Sequence, residues 1–273
     1  MDSFPTLAFI GGGNMARSLI GGLVRTGLPA TKIRVAEPVP ALRYALAADF
    51  GVAVYADGPA AADGADVWVL AVKPQVMAQA CTALADLAQT QRPLVVSIAA
   101  GMPSARIDGW LGGAQAVVRT MPNTPALLGA GATGLYANPA VDAERRAIAE
   151  TLMKAAGLTV WIADEALMDA VTAVSGSGPA YVFLLAEALQ AAGEAEGLPA
   201  EAAKALAVQT LVGAARMLGE SGEDAATLRQ RVTSPNGTTQ AALEAFAAGG
   251  FHELVATAVA AAVRRGRELA AAG

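Results

Sequence analysis

Thr6-Leu7-Ala8-Phe9-Ile10-Gly11-Gly12-Gly13-Asn14-Met15-Ala16 passes from a short apolar run through three glycines, and the chain continues through Leu19, Ile20, Leu23 and Val24 at helical spacing. The pattern predicts a strand, a tight turn and a helix. Gly11, Gly13 and Ala16 fit the G-x-G-x-x-A form. The first glycine makes the turn, the second lets backbone approach a pyrophosphate, and the small third residue packs helix against strand. A lone match of this kind is weak, because a glycine turn is often only structural. Here the strand precedes, the helix follows, and a second apolar run, Ile33-Arg34-Val35-Ala36, ends at Glu37, where an acid that binds a ribose hydroxyl would stand.

Further apolar runs follow at Val52–Tyr55, Val67–Val72, Leu94–Ile98 and Ala116–Arg119, with amphipathic segments between them. Continuous apolar strands alternating with helices predict a mainly parallel sheet covered on both faces, with ligands beyond the carboxyl ends of its strands. Those ends carry Gly11–Asn14, Glu37-Pro38, Lys73-Pro74-Gln75, Ala99-Ala100-Gly101 and Met121–Pro125. Thr133–Tyr136 and Thr159–Ile162, on either side of a helix over Ala143–Ala156, would complete the sheet. After about Ala163 the strand signals stop, and helical segments follow, broken at Gly197-Leu198-Pro199, Gly219–Asp224, the Thr233 turn and Gly249-Gly250. The expected division is a Rossmann-type α/β domain over residues 1–163 and an all-α domain over 164–273. Helices such as Ala202–Leu218 and Leu254–Val263 carry more apolar surface than roughly 110 residues can bury alone, so self-association is expected.

The 273 residues are 54% apolar and carry a net charge of −5. That balance disfavours general affinity for nucleic acid or anionic membranes, and no run approaches the ~20 apolar residues of a membrane span. Cys81 is the only cysteine, which excludes an intrachain disulfide and suits a reducing cytoplasm. No metal site is expected.

A second concentration of chemistry lies at Thr233-Ser234-Pro235-Asn236-Gly237-Thr238-Thr239, ahead of a helix expected over Gln240–Ala248. The first N–H groups of a helix lack internal partners and carry the positive end of its dipole. A capping box on Thr238 would need Glu or Gln at position 241, which is Ala241, and the nearest downstream acid is Glu244. The stretch therefore reads either as an ordinary Ser/Thr cap after a Pro-Asn-Gly turn or as a socket for a carboxylate.

The chain resembles the pyrroline-5-carboxylate reductase family nearly end to end. The resemblance rests on Phe9–Met15, Ala71-Val72-Lys73-Pro74, Ser97–Gly101, Met121–Pro125, Ser175–Tyr181 and Val232–Phe246, in that order. It implies a helical domain that interlocks two chains, with rings of dimers in some members, and reduction of a cyclic imine to proline by hydride from NADPH or NADH. Carried over residue by residue, it assigns cofactor contacts to Ile10, Gly11, Gly12, Gly13, Asn14, Met15, Glu37, Ala71, Val72, Lys73, Pro74, Ala99, Gly101, Asn123 and Pro125. It assigns the substrate carboxylate to Ser234, Gly237, Thr238 and Thr239, with the Thr239 hydroxyl on the ring nitrogen as the catalytic contact. His252 is expected to cap or face solvent.

Two departures from the family pattern bear on this. Glu37 stands where many members place a small polar or basic residue, and an acid there should accept a 2′-hydroxyl and repel a 2′-phosphate, unless Arg34 or Arg43 compensates. Asn236 stands where glycine is common, and asparagine tolerates a left-handed turn. Other readings are an imine reductase or β-hydroxyacid dehydrogenase of similar layout, or a non-catalytic dinucleotide sensor. The dehydrogenase would require a lysine and asparagine one turn apart in the interdomain helix. Lys204, the only lysine after Lys154, has no such neighbour. A sensor would have no reason to keep the Thr239 socket.

Overall fold

The computed structural model describes residues 4–272, and side chains through residue 270. Its sheet has eight strands: β1 (Leu7–Ile10), β2 (Ile33–Ala36), β3 (Ala53–Tyr55), β4 (Val67–Leu70), β5 (Leu94–Ser97), β6 (Ala116–Met121), β7 (Gly131–Ala137) and β8 (Gly157–Trp161). They lie in the order β3-β2-β1-β4-β5-β6-β7-β8, every neighbouring pair parallel except β6 with β7. The strand order reverses between β1 and β4, which makes that crevice the switch point of a doubly wound sheet.

Both faces of the sheet are packed, which is why its central strands read as unbroken apolar runs. Leu7 and Phe9 join Leu19, Ile20, Val35, Val69, Val96 and Val118 on one side. Ala8 and Ile10 join Trp68, Leu70, Met77, Leu84, Val95 and Ile107 on the other. Each large side chain removed from water in this way stabilises the fold by about 1.5–3 kcal/mol. Covering these faces are α1 (Asn14–Arg25), α2 (Pro40–Phe50), α3 (Gly58–Ala62), α4 (Pro74–Thr82), α5 (Ala85–Gln91), α6 (Ser104–Trp110) and α7 (Ala143–Lys154). Close backbone contact fixes one of these placements: a Cβ on Gly22 of α1 would run into the Ala155 carbonyl. Cys81 packs inside this core, where burial pushes its thiol up to about 12 and leaves it protonated and inert.

Beyond β8 the chain forms a short 3₁₀ turn at Glu165–Leu167, α8 (Met168–Val171) and a π-helical turn at Thr172–Gly176. Two compact units result: residues 1–177 with 262–273, and residues 178–261. Residues 164–177 therefore belong with the sheet, since Met168 and Ala173 are wholly buried and Val171 packs on Gly134 of β7.

The second unit consists of α9 (Gly178–Ala195), α10 (Ala200–Glu220), α11 (Ala225–Arg231), α12 (Thr238–Ala248) and the start of α13 (Phe251–Ala272), whose end belongs to the first unit. Its breaks fall where the glycines and prolines place them. Its core is thin. Only Ala203 and Ala207 of α10 are buried, and no residue of α9 is, although α9 is largely apolar. Phe183 is 61% exposed, Leu184 65% and Leu254 66%. Among the described residues, no single helix is long and apolar enough to cross a membrane.

Candidate active site

The parallel strands bring the expected cofactor residues to one edge of the sheet. Ile10 ends β1, Glu37 follows β2, Ala71–Pro74 follow β4, Ala99 and Gly101 follow β5, and Asn123 and Pro125 follow β6. Gly11 has φ +109°, and a Cβ there would sit 2.7 Å from the Ala71 carbonyl oxygen, so only glycine lets the turn lie against the end of β4. Gly12 is buried beneath Leu46 and Glu37. Gly13 differs from both. It is exposed, takes ordinary extended backbone (φ −69°, ψ −177°), and a Cβ on it would meet nothing within 4 Å.

Gly13 is the N-cap of α1, with no side-chain cap and no acid in the first turn. Backbone N–H groups and the positive helix end thus face an open approach at the switch point, an arrangement suited to a pyrophosphate. Glu37, 7% exposed, is held at the lip of this turn. Its Oε2 accepts the Gly12 N–H at 3.1 Å and its Oε1 the Val39 N–H at 3.0 Å. Arg43 donates to the carbonyls of Glu37 and Pro38 rather than to the carboxylate, and Arg34 donates to the Asp63 carbonyl. Neither arginine is bonded to the Glu37 carboxylate.

Further along the edge, Lys73 caps α4 by its backbone alone, with an exposed side chain. Gly101 takes φ +70°. Asn123 is 8% exposed and its side chain is committed to the fold: Nδ2 donates to the Ser175 carbonyl at 3.0 Å and Oδ1 accepts the Ala132 N–H at 2.9 Å. The π-helical turn that presents Ser175 has no counterpart in the sequence pattern.

In the second unit, α12 begins at Thr238, earlier than the expected Gln240, because Gly237 is extended (φ −87°, ψ 172°) and takes the N-cap place. The turn before it is closed by the Gly237 N–H on the Ser234 carbonyl at 3.1 Å, with Asn236 at φ +58°, the left-handed position that asparagine tolerates. Gly237 supplies no side-chain cap and the first turn holds no acid. Glu244 does not reach it, because it accepts from Gln240, whose own Oε1 accepts the Asn236 N–H at 2.8 Å. Gln240 is not legible as a capping residue when the cap is expected at Thr238. Counted from Gly237, it stands at the third helical position, where a glutamine reaches back to the preceding turn. A Cβ on Gly237 would press within 2.6 Å of the Ser234 Oγ, so glycine lets that hydroxyl fold over the helix start. His252, exposed at the start of α13, lines a cavity of about 630 Å³ with Arg229, Leu185 and Phe246.

Comparison with known proteins agrees with both halves. A family described as NADP oxidoreductase, coenzyme F420-dependent, matches residues 6–101, and one described as pyrroline-5-carboxylate reductase dimerisation matches residues 165–269. Fold and glycine turn thus define a Rossmann-type oxidoreductase with a helical second unit. The pyrroline-5-carboxylate reductase of Pseudomonas aeruginosa is 52% identical over 268 residues, 98% of each chain. A Coxiella burnetii pyrroline-5-carboxylate reductase structure superposes with a TM-score of 0.95 at 43% identity, covering 98% of this chain and 99% of that one. A Plasmodium falciparum pyrroline carboxylate reductase with NADP bound gives 0.85 at 27% identity, covering 97% and 98%. The chain belongs to the pyrroline-5-carboxylate reductase family.

The contrast among the three glycines yields a test. Gly13→Ala should move the urea midpoint of unfolding only slightly, since its backbone angles and surroundings accept a methyl and the loss of a glycine N-cap opposes the stiffer unfolded chain, and should weaken nucleotide binding by about tenfold or more where that methyl meets phosphate. Unaltered affinity, measured by calorimetry, would rule out phosphate contact at Gly13.

Proposed function

We propose that the chain reduces L-1-pyrroline-5-carboxylate to L-proline with NADPH or NADH, the final step of proline biosynthesis. The observation that carries the reading is the start of α12 behind Ser234, which has no side-chain cap and no acid in its first turn and has a hydroxyl beside it. Family membership supplies the reaction. Ser234 and the backbone around Gly237, Thr238 and Thr239 hold the substrate carboxylate. The half-buried Thr239 hydroxyl contacts the ring nitrogen, turns the C=N bond toward the cofactor and stabilises the amine as it forms. Bound reduced nicotinamide supplies the hydride. Ile10–Met15 and Glu37 hold the adenosine half of that cofactor, and Ala71–Pro74, Ala99, Gly101, Asn123 and Pro125 border its nicotinamide half. Asn123 acts there by shaping the loop, since its side chain is already bonded within the protein.

Thr239→Ala should lower kcat by about a hundredfold while nucleotide affinity stays put. Turnover equal to the parent in a pyrroline-5-carboxylate assay would remove Thr239 from the mechanism.

The cofactor preference follows from Glu37. Its carboxylate is fixed by two backbone N–H groups and bonded to no arginine, so it accepts a 2′-hydroxyl and repels a 2′-phosphate. NADH is therefore used well. Glu37→Ser should shift the ratio of kcat/KM values toward NADPH by about tenfold or more, one removed charge repulsion being worth a kcal/mol or so at short range. A ratio that does not move would assign the preference elsewhere.

The helical unit works as a homodimer in the cytoplasm. The unburied faces of α9, α10 and α13 and the dimerisation family match support a mate for it, and the single, sealed cysteine suits a reducing compartment. Each active site takes its nucleotide from one protomer and its Thr239 loop from the partner. Dissociated monomers should then bind nucleotide without turning over substrate; a monomer active in the analytical ultracentrifuge would refute this arrangement.

A further inference from the structure

Arg119 of β6 is the most deeply buried cation paired with acids: its side chain is 6% exposed and lies 3.4 Å from Glu165 Oε1 and 3.5 Å from Asp169 Oδ1. A charge so far from water is costly unless paired and hydrogen-bonded. Two carboxylates around one guanidinium leave a negative charge in excess, and Ser104 meets it. Its N–H donates to Glu165 Oε1 at 2.6 Å and its hydroxyl to Oε2 at 2.7 Å. Every element tied by this cluster borders a loop of the cofactor edge. Ser104 follows Ala99–Gly101, Arg119 precedes Asn123, and Asp169 precedes the π-helical turn whose Ser175 carbonyl accepts from Asn123. The end of α13 closes on the same place: a Cβ on Gly266 would stand 3.4 Å from Asp169 Oδ1, and one on Gly101 3.8 Å from the Ala270 nitrogen.

We infer that Arg119, Glu165 and Asp169 are positioning residues for the nicotinamide half of the crevice and leave the adenosine half alone. The inference rests on the dinucleotide reading given above. A dinucleotide laid across the switch point with its adenosine ribose at Glu37, beside β2, carries its other half over β4, β5 and β6. The adenosine side has its own ties, the Gly12 and Val39 N–H groups on the Glu37 carboxylate. The cluster instead ties the start of α6, strand β6 and the Glu165–Asp169 segment, which flank the β5 and β6 loops.

Asp169→Asn keeps the shape and removes one charge. Arg119→Lys keeps the charge and removes the flat, two-armed reach that spans both acids. Each should weaken binding of NADH by about tenfold, measured by calorimetry, while the affinity for ADP stays within about twofold, because misplaced loops spoil one half of the ligand's geometry. Equal losses for NADH and ADP would mean general loosening, and no loss for either would mean no role; both overturn the inference. Pyrroline-5-carboxylate does not enter this comparison, so an inactive parent enzyme would count against the proposed reaction and leave the binding result standing.

Discussion

The first turn of the chain depends on a contact that permits no side chain. Gly11 leaves β1 with φ +109° and lies so close to the Ala71 carbonyl that a methyl group would overlap it. Because β1 and β4 flank the point where strand order reverses, this contact sets how α1 leaves the sheet and where its free N–H groups point. Gly12 beneath Glu37 and Leu46 continues the constraint, and Gly13, with nothing around it, ends it in open space. Three adjacent glycines thus have three separate surroundings: a positive-φ turn, a close packing, and open space.

The helix starts at the two expected binding turns are built alike. Both α1 and α12 begin after a glycine in extended conformation, without a side-chain cap and without an acid in the first turn. Three other helices carry a side-chain cap, Asp57, Asp142 and Asp224 each accepting an N–H from the first turn of α3, α7 and α11, while α2 and α4 lack one and begin on a proline instead. What α1 and α12 share is a glycine at the N-cap, so that no side chain of the cap residue covers the first N–H groups. In α12 the Gln240 side chain is turned back onto the Asn236 N–H and held there by Glu244.

Strands, glycine turn and helix breaks could be read from the sequence because local pattern and tertiary demand coincide there. Leu7–Ile10 is apolar at every position because both sheet faces are covered, and Asn236 could be assigned a left-handed turn from its chemistry alone. What escaped the reading depends on contacts remote in sequence. Asn123 is bonded to Ser175 across 52 positions, and Ser104 to Glu165 across 61. No periodicity announces such pairs, and a π-helical turn carries no composition of its own. Residues 164–177 look like the start of a helical domain because they are helical, yet the partners that bury them are strands β6 and β7. The role of Gln240 is hidden for a smaller reason: Gly237 as the N-cap, in place of Thr238, moves every position of the capping pattern by one.

The exposed faces of α9 and α13 lie on a chain whose sole thiol is sealed in the sheet core. Any complex formed through those faces has no covalent bond to hold it and few ionic ones, so its cohesion comes from expelled water. Such cohesion fades on cooling and strengthens with excluded salts such as sulfate. A helical unit with so little interior of its own, if it pairs through those faces, loses part of its support in cold, dilute, low-salt buffer.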